Sequence, residues 1–196
     1  RTLDHVLPLL DARLGLVLVD DASTDPAHRA LLDRVDAEHP QVRVVRLTES
    51  HGCTQARKAA LETLDVPFVI MLDDDSHFIE ATRAEIESVL DRFRADPRMG
   101  ALGFACYEPS RDDSLDAVVS RVYDGRMVSG FINCACAVRM EAYREIGGYP
   151  REFASPYGEE RDLCIRLMDR EWTVRQFVKP SVVHYQSLTA RNKIRN

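Results

Sequence analysis

Short unbroken apolar runs alternate along the chain with stretches in which apolar positions recur every three or four residues. The first pattern suits strands covered on both faces, and the second suits helices with one buried face. Leu14 to Val19, Val42 to Leu47 and Phe68 to Leu72 are predicted strands. Leu3, Val6, Leu7, Leu9 and Leu10 lie near helical spacing at the start, interrupted by Pro8. Leu31, Leu32 and Val35 mark a helix that Asp25 caps, that Pro26 enters at its first position and that stops before Pro40. Ala56, Ala59, Ala60 and Leu64 line a second helix over 52–64. Strands and helices in this order predict parallel strands joined by right-handed crossovers.

The second half is less regular. A helix is expected over 81–93, a strand over 100–106, and a loop or strand pair over the polar residues 107–129. Phe131 to Val138 is small and apolar, and a short helix over 141–146 closes at Gly147-Gly148. After a loop over 149–158, Leu163, Cys164, Leu167 and Met168 define a helix over 159–169. Two short strands, 174–178 and 182–184, complete the pattern, which contains no repeat or low-complexity segment. It reads as one domain, 1–196, in two halves that divide near residue 106.

Composition narrows the class. With 196 residues, 45% hydrophobic, the chain has room for one α/β domain with a substantial core. Its 32 acidic residues outnumber 26 basic ones, for a net charge of −6, so a nucleic-acid partner is not expected. No apolar run approaches the ~20 residues of a membrane span, and no signal-peptide pattern opens the chain. Five cysteines, with Cys134-Ala-Cys136 lacking a matching second pair, read as buried small hydrophobes in a reducing compartment. The expected location is therefore cytoplasmic.

Ligands of open α/β sheets sit beyond the carboxyl ends of parallel strands, and two acidic clusters fall there. If 73–75 continues extended, Asp73 and Asp75 project to one face and Asp74 to the other. Two converging carboxylates call for a cation, and oxygen donors suit Mn²⁺ or Mg²⁺. The competing reading is a turn in which Asp75 or Ser76 caps a following helix. Asp20 and Asp21 either recognise a ligand N–H or hydroxyl, or hold their own loop. Glu159 and Glu160 either complement a helix dipole or supply a general base, whereas Asp162 reads as structural. Arg57 is a candidate phosphate contact beside free helix N–H groups, or an ordinary solvated arginine. His184, after an apolar strand, is a ligand candidate or a satisfied, half-buried histidine.

The order of these pieces is more specific than any one of them. Val19-Asp20-Asp21-Ala22-Ser23-Thr24-Asp25 resembles the Val-Asp-Asp-Gly-Ser-Thr-Asp segment of the family 2 glycosyltransferases. Ser50 to Arg57 is similar to that family's Asn-x-Gly-x-x-x-Ala-Arg segment, and Asp73-Asp74-Asp75 resembles its Asp-x-Asp metal motif. Gly147-Gly148-Tyr149 through Gly158-Glu159-Glu160-Arg161-Asp162 to Leu167, with Trp172 after it, resembles the acceptor-side segment. Val183-His184-Tyr185 is similar to the closing strand and histidine.

The resemblance covers nearly the whole chain. It implies a GT-A fold: a Rossmann-like three-layer α/β/α sandwich around a mixed, mainly parallel sheet. It also implies inverting transfer of a sugar from a nucleotide diphosphate donor, UDP or dTDP favoured, to a glycan, lipid or small-molecule acceptor. Residues 1–106 would bind the donor and 107–196 the acceptor. Carried over by position, Asp20, Asp21, Arg57, Asp73 and Asp74 would contact the nucleotide sugar. Asp73, Asp75 and His184 would hold Mn²⁺ or Mg²⁺, with Asp75 the closer ligand, and Glu160 or Glu159 would deprotonate the acceptor. Peripheral association with the inner membrane face is a further expectation.

Three departures accompany the resemblance. The family's first strand is missing ahead of Arg1, Ser50 replaces asparagine, and Glu160 replaces the common aspartate. Rival readings fare less well. A phospho-receiver domain needs a lysine downstream of its aspartate, and none occurs between Lys58 and Lys179. A haloacid dehalogenase-type phosphatase would use Asp73 and Asp75, but its motif follows the first strand and continues with threonine, not Ser76-His77. A non-catalytic nucleotide-sugar binder is the third alternative.

Overall fold

A computed structural model describes residues 1–150 and 158–186. The chain starts with a short helix α1 (Thr2–Val6) and a 3-10 turn over Leu7–Leu9. β1 (Leu16–Asp20), α2 (Pro26–Glu38), β2 (Val42–Arg46), α3 (Cys53–Glu62) and β3 (Phe68–Met71) follow. The Asp25 carboxylate accepts from the Ala27 N–H at 2.8 Å with Pro26 beside it, so the expected helix start is realised. Next come β4 (Ser76–Phe78), α4 (Arg83–Ala95) and β5 (Met99–Tyr107). Thr82 and Glu85 form a reciprocal capping box at the start of α4. The final elements are α5 (Leu115–Val119), β6 (Arg126–Met127), β7 (Cys136–Arg139), α6 (Met140–Glu145), α7 (Glu159–Asp169) and β8 (Thr173–His184).

The expected mixed sheet is present, but parallel pairing does not dominate it. β1 and β2 pair in parallel as a separate two-stranded sheet. The larger sheet has the order β3-β7-β5-β8-β4, with β6 against β8, and only its β5–β8 ladder is parallel. The remaining ladders are antiparallel: β7 returns between β3 and β5, and β8, the last strand, runs against β4 and β6. The Leu16–Val19 run, expected to be covered on both faces, is only half-buried, since among the described residues β1 pairs with β2 alone.

Residues 107–129 hold α5 and the two-residue β6 rather than a strand pair. The two strands expected over 174–184 are one strand, β8. Its register against β5 shifts between Phe104 and Cys106, so Lys179 and Pro180 bulge out of the ladder. Proline, which lacks an N–H, is tolerated in a strand at such a place. The loop expected over 149–158 lies largely outside the described residues.

Core residues lie on both faces of the larger sheet. Cys136 and Val138 of β7 face Ala142, Tyr143, Leu163 and Leu167 of α6 and α7. Ala135 and Ala137 face Ile86, Val89 and Phe93 of α4, which gives the expected three layers. Gly103 is required by this packing, since a Cβ there would sit 2.5 Å from Phe131 Cβ. Four of the cysteines are buried as expected, but Cys53 is exposed at the start of α3. No helix among the described residues is long and apolar enough to cross a membrane.

Candidate active site

The 73–75 segment is not extended. The Ser76 N–H bonds to the Asp73 carbonyl at 3.1 Å, and the Asp73 N–H donates to Ser76 Oγ at 2.8 Å, so the chain turns at once into β4. No helix follows, which removes the helix-cap reading of Asp75 and Ser76. Asp73 and Asp75 nevertheless converge, by the turn rather than by the pleat. β4 then pairs with the end of β8 so that Ser76 lies opposite His184. This register brings His184 to Asp75, with Nε2 at 3.2 Å from Oδ1. Donor atoms of Asp73, Asp75 and His184 all lie within 4.8 Å of one another. Asp74 is exposed outside this group, and its carbonyl accepts from Thr2 Oγ1 at 2.6 Å.

Glu108 sits behind His184. Its Oε1 lies 3.0 Å from His184 Nδ1, its Oε2 accepts from Arg111 at 2.7 Å, and the residue is buried. The hydrogen bonds to Asp75 and Glu108 raise the His184 imidazole to about 10. The same His184 bond holds the Asp75 and Glu108 carboxyls below their ordinary range. Sequence reasoning missed Glu108, although an acid just past the apolar run of β5 obeys the strand-end rule that singled out 73–75.

Arg57 is neither a solvated arginine nor at the helix N-terminus. It lies within α3, and its guanidinium donates to Asp73 and, at 3.4 Å, to Glu159 Oε1. Burial opposes its charge, but Asp73 together with its other neighbours outweighs burial and raises its pKa. Glu159 is buried and also accepts from Asn133 Nδ2 at 3.2 Å. Its Oε2 has no hydrogen-bond partner among the described residues. Asn133 in turn accepts from the buried Tyr149 hydroxyl at 2.9 Å. Asn133 was not a sequence candidate, although a lone amide inside the apolar run 131–138 was the available signal; Tyr149 entered only as part of the acceptor-side segment, with no role assigned.

Gly158, at φ 98°, turns the chain into α7 in a conformation suited to glycine. Glu159 thereby points inward, while Glu160 lines a cavity of about 860 Å³. Burial and the adjacent Glu159 charge raise the Glu160 carboxyl above its ordinary value. Asp162 bonds Arg166 at 2.6 Å, and Arg166 reaches the carbonyls of Ile146 and Gly148, in keeping with its structural reading.

Asp20 and Asp21 spend acceptor atoms on the protein. Asp20 Oδ1 accepts from the Ser23 N–H at 2.9 Å, closing its own loop. Asp21 reaches the N–H groups of His51 and Gly52, both at 2.9 Å, and Ser50 Oγ at 2.7 Å. Burial works against ionisation of Asp21, but these donors outweigh it and hold the carboxyl below its ordinary range. Asp21 therefore ties the β1 loop to the entry of α3.

A second set, Cys106, Cys134 and His184, is also within 4.8 Å, with the two sulfurs 3.9 Å apart. The hydrogen bond with Cys106, together with burial, pushes the Cys134 thiol far up and leaves it neutral.

Comparison with known proteins agrees with this architecture. The TuaG protein of Bacillus subtilis (strain 168), named for teichuronic acid biosynthesis, is 28% identical over 134 residues, 68% of this chain and 53% of its own length. Polypeptide N-acetylgalactosaminyltransferase 5 of Rattus norvegicus is 36% identical over 77 residues, 39% of this chain and 8% of its own. The chain thus spans about half or less of these relatives. Among solved structures, the mannosyltransferase PcManGT from Pyrobaculum calidifontis, in complex with GDP-Man and Mn²⁺, superposes with a TM-score of 0.73 at 21% identity. That match covers 99% of this chain and 55% of PcManGT. GalNAc-T7 with UDP, GalNAc and Mn²⁺ gives a TM-score of 0.73 at 14% identity over 95% of this chain and 41% of that one. The family model described as Glycosyl transferase family 2 matches residues 1–147. The chain belongs to glycosyl transferase family 2 and has the GT-A fold.

Proposed function

We propose that the protein transfers a sugar from a nucleotide diphosphate donor to an acceptor hydroxyl, with inversion at the anomeric carbon. One observation carries this reading: Arg57 joins the Asp73 end of the acidic cluster to the buried Glu159, next to Glu160 and its cavity. A donor end and an acceptor end are thereby coupled through a single guanidinium.

The donor set fits a divalent cation. Two carboxylates and one imidazole suit Mn²⁺, the ion held by both structural neighbours, better than a softer metal. Asp73, Asp75 and His184 would hold it, with the Nε2 proton of His184 released on binding, and Glu108 would keep His184 Nδ1–H bonded so that Nε2 faces the cluster. Bound there, the ion supplies positive charge for the departing diphosphate.

Glu160 is the base in this scheme. It lines the cavity, whereas both Glu159 partners lie inside the protein. A carboxylate raised toward neutrality is also a stronger proton acceptor. As the acceptor oxygen bonds to the anomeric carbon, its proton passes to Glu160. The bond from that carbon to the diphosphate oxygen breaks, and the electron pair leaves with the nucleoside diphosphate. Attack opposite the leaving group inverts the centre. Glu159, with Arg57 and Asn133, fixes the start of α7 and so the position of Glu160. Asp20 shapes the nucleotide end by closing the turn at Ser23, and Asp21 does so by tying that loop to residues 50–52. Asp74, exposed beside Asp73, would contact the donor only from outside the cluster.

Calorimetry with UDP-, dTDP-, GDP- and CMP-linked sugars, with and without Mn²⁺, tests the reading. UDP or dTDP donors should bind in a metal-dependent way, and Asp75→Ala should abolish the metal response. Metal-independent binding, or none to any nucleotide sugar, would refute it.

A further inference from the structure

The cavity beside Glu160 carries a charge opposite to that of the chain. Among the described residues its walls hold Arg126 and Arg161, together with Arg121 paired to Asp112, against the one carboxylate of Glu160, in a protein whose net charge is −6. None of Asp20, Asp21, Arg57, Asp73, Asp75 or His184 lines it, so these arginines belong to the acceptor end rather than to the donor cluster. Two of them are held by the fold. Arg121 donates from Nε to the Ala117 carbonyl at 2.9 Å and from Nη2 to Asp112 at 3.0 Å. Arg126 lies on β6, where Gly125 and Val128 bond to Gln176 and Val174 of β8 at 2.8 and 2.9 Å. Its guanidinium lies 5.2 Å from the centre of the Tyr123 ring. Arg161 follows Glu160 directly on α7. Neither Arg126 nor Arg161 has a carboxylate partner among the described residues. Tyr123, 65% exposed, and Met127, 57% exposed, add open apolar surface to the same wall.

A neutral sugar does not need two guanidinium groups, free of carboxylate partners among the described residues, in the wall of the cavity that receives it. A phosphate or carboxylate does, since arginine binds either one through paired N–H donors. An aromatic ring beside them suits the apolar face of a sugar. We infer that the acceptor is an anionic sugar, bearing a phosphate ester or a carboxylate near the hydroxyl that is glycosylated, and that Arg126 and Arg161 select it. This inference rests on the proposed transferase reading and names its acceptor class. A free sugar phosphate, a uronic acid and a sugar phosphate carried on a lipid share this chemistry.

The test uses matched glycosides in the presence of UDP and Mn²⁺, read by saturation-transfer NMR and titration. p-Nitrophenyl glucoside is compared with p-nitrophenyl glucuronide, glucose with glucose 6-phosphate, and a short-chain prenyl glucoside with the corresponding prenyl phosphoglucose. The anionic member of at least one pair should bind at least about tenfold more tightly, and added salt should weaken it. Which pair responds identifies the source of the charge. Arg126→Gln and Arg161→Gln should each remove most of that preference, while Arg126→Lys should keep part of it. Equal response of both members in every pair, no binding of any anionic member, or a preference untouched by both glutamine variants overturns the inference. Calorimetry of the donor with Mn²⁺ on the same samples separates the two failures. Donor binding retained without an anionic preference rejects the acceptor class alone, and donor binding absent rejects the transferase reading with it.

Discussion

Replacing Arg57 by methionine should be among the costliest single changes in the molecule. The Arg57 side chain is 13% exposed and faces Glu159, which is 8% exposed, and Asp73, which is 29% exposed. Asp73 can recover water when the guanidinium goes, so its share of the loss is small. Glu159 cannot. Its Oε2 already lacks a partner among the described residues, and only the Asn133 amide would remain on Oε1. Removing one member of a buried ion pair costs about 3–5 kcal/mol, because the other charge stays buried. The 3.4 Å separation places this pair near the lower end, at roughly 3 kcal/mol. For a chain of this size that is a fall in Tm of roughly 6–12 °C. Glu159→Met should cost less than Arg57→Met, since Arg57 keeps Asp73. The double variant should regain much of the loss, leaving a coupling of about 2 kcal/mol. Urea unfolding of wild type, both single variants and the double variant closes the cycle. A loss under about 1 kcal/mol in Arg57→Met, or strictly additive losses, would show that the guanidinium is not what holds the Glu159 charge in place.

Three further outcomes follow from the same site. Glu160→Gln should lower kcat about 10²–10⁴-fold while Mn²⁺-dependent donor binding, followed by calorimetry, stays intact; a loss confined to KM would reassign Glu160 to acceptor binding. If Glu160 is the proposed proton acceptor, its raised carboxyl should make kcat/KM fall with acidification at a pH above that of a free glutamate. Glu159→Gln removes a neighbouring negative charge and should move this acid limb to lower pH; a limb unmoved in a pH–rate series would count against the pairing. Glu108→Ala should weaken Mn²⁺ binding about 10–100-fold, as read by the free Mn²⁺ electron paramagnetic resonance signal, with Glu108→Asp recovering part of it. Unchanged Mn²⁺ affinity in Glu108→Ala would leave that carboxylate a purely structural role.

The alternation of apolar runs and helical spacing made most elements legible, because each depends on its own residues. α2 begins where Asp25-Pro26 places it, and α7 occupies the predicted 159–169. What the pattern could not carry was direction and register. The apolar runs at 68–72 and 131–138 read alike whichever way their strands run, and their antiparallel pairing comes from tertiary return paths. The acidic cluster illustrates the same boundary. Convergence of Asp73 and Asp75 was legible from their spacing, yet its cause was not, since the turn depends on Ser76 and on β4 finding His184 across the sheet. The roles of Glu159 and Glu160 were separable only in three dimensions. Adjacent residues on a helix point about 100° apart, so one carboxylate meets Arg57 and Asn133 inside while the other meets the cavity. Sequence identifies two acids at the head of α7; the partner waiting on each side decides which one is free to take a proton.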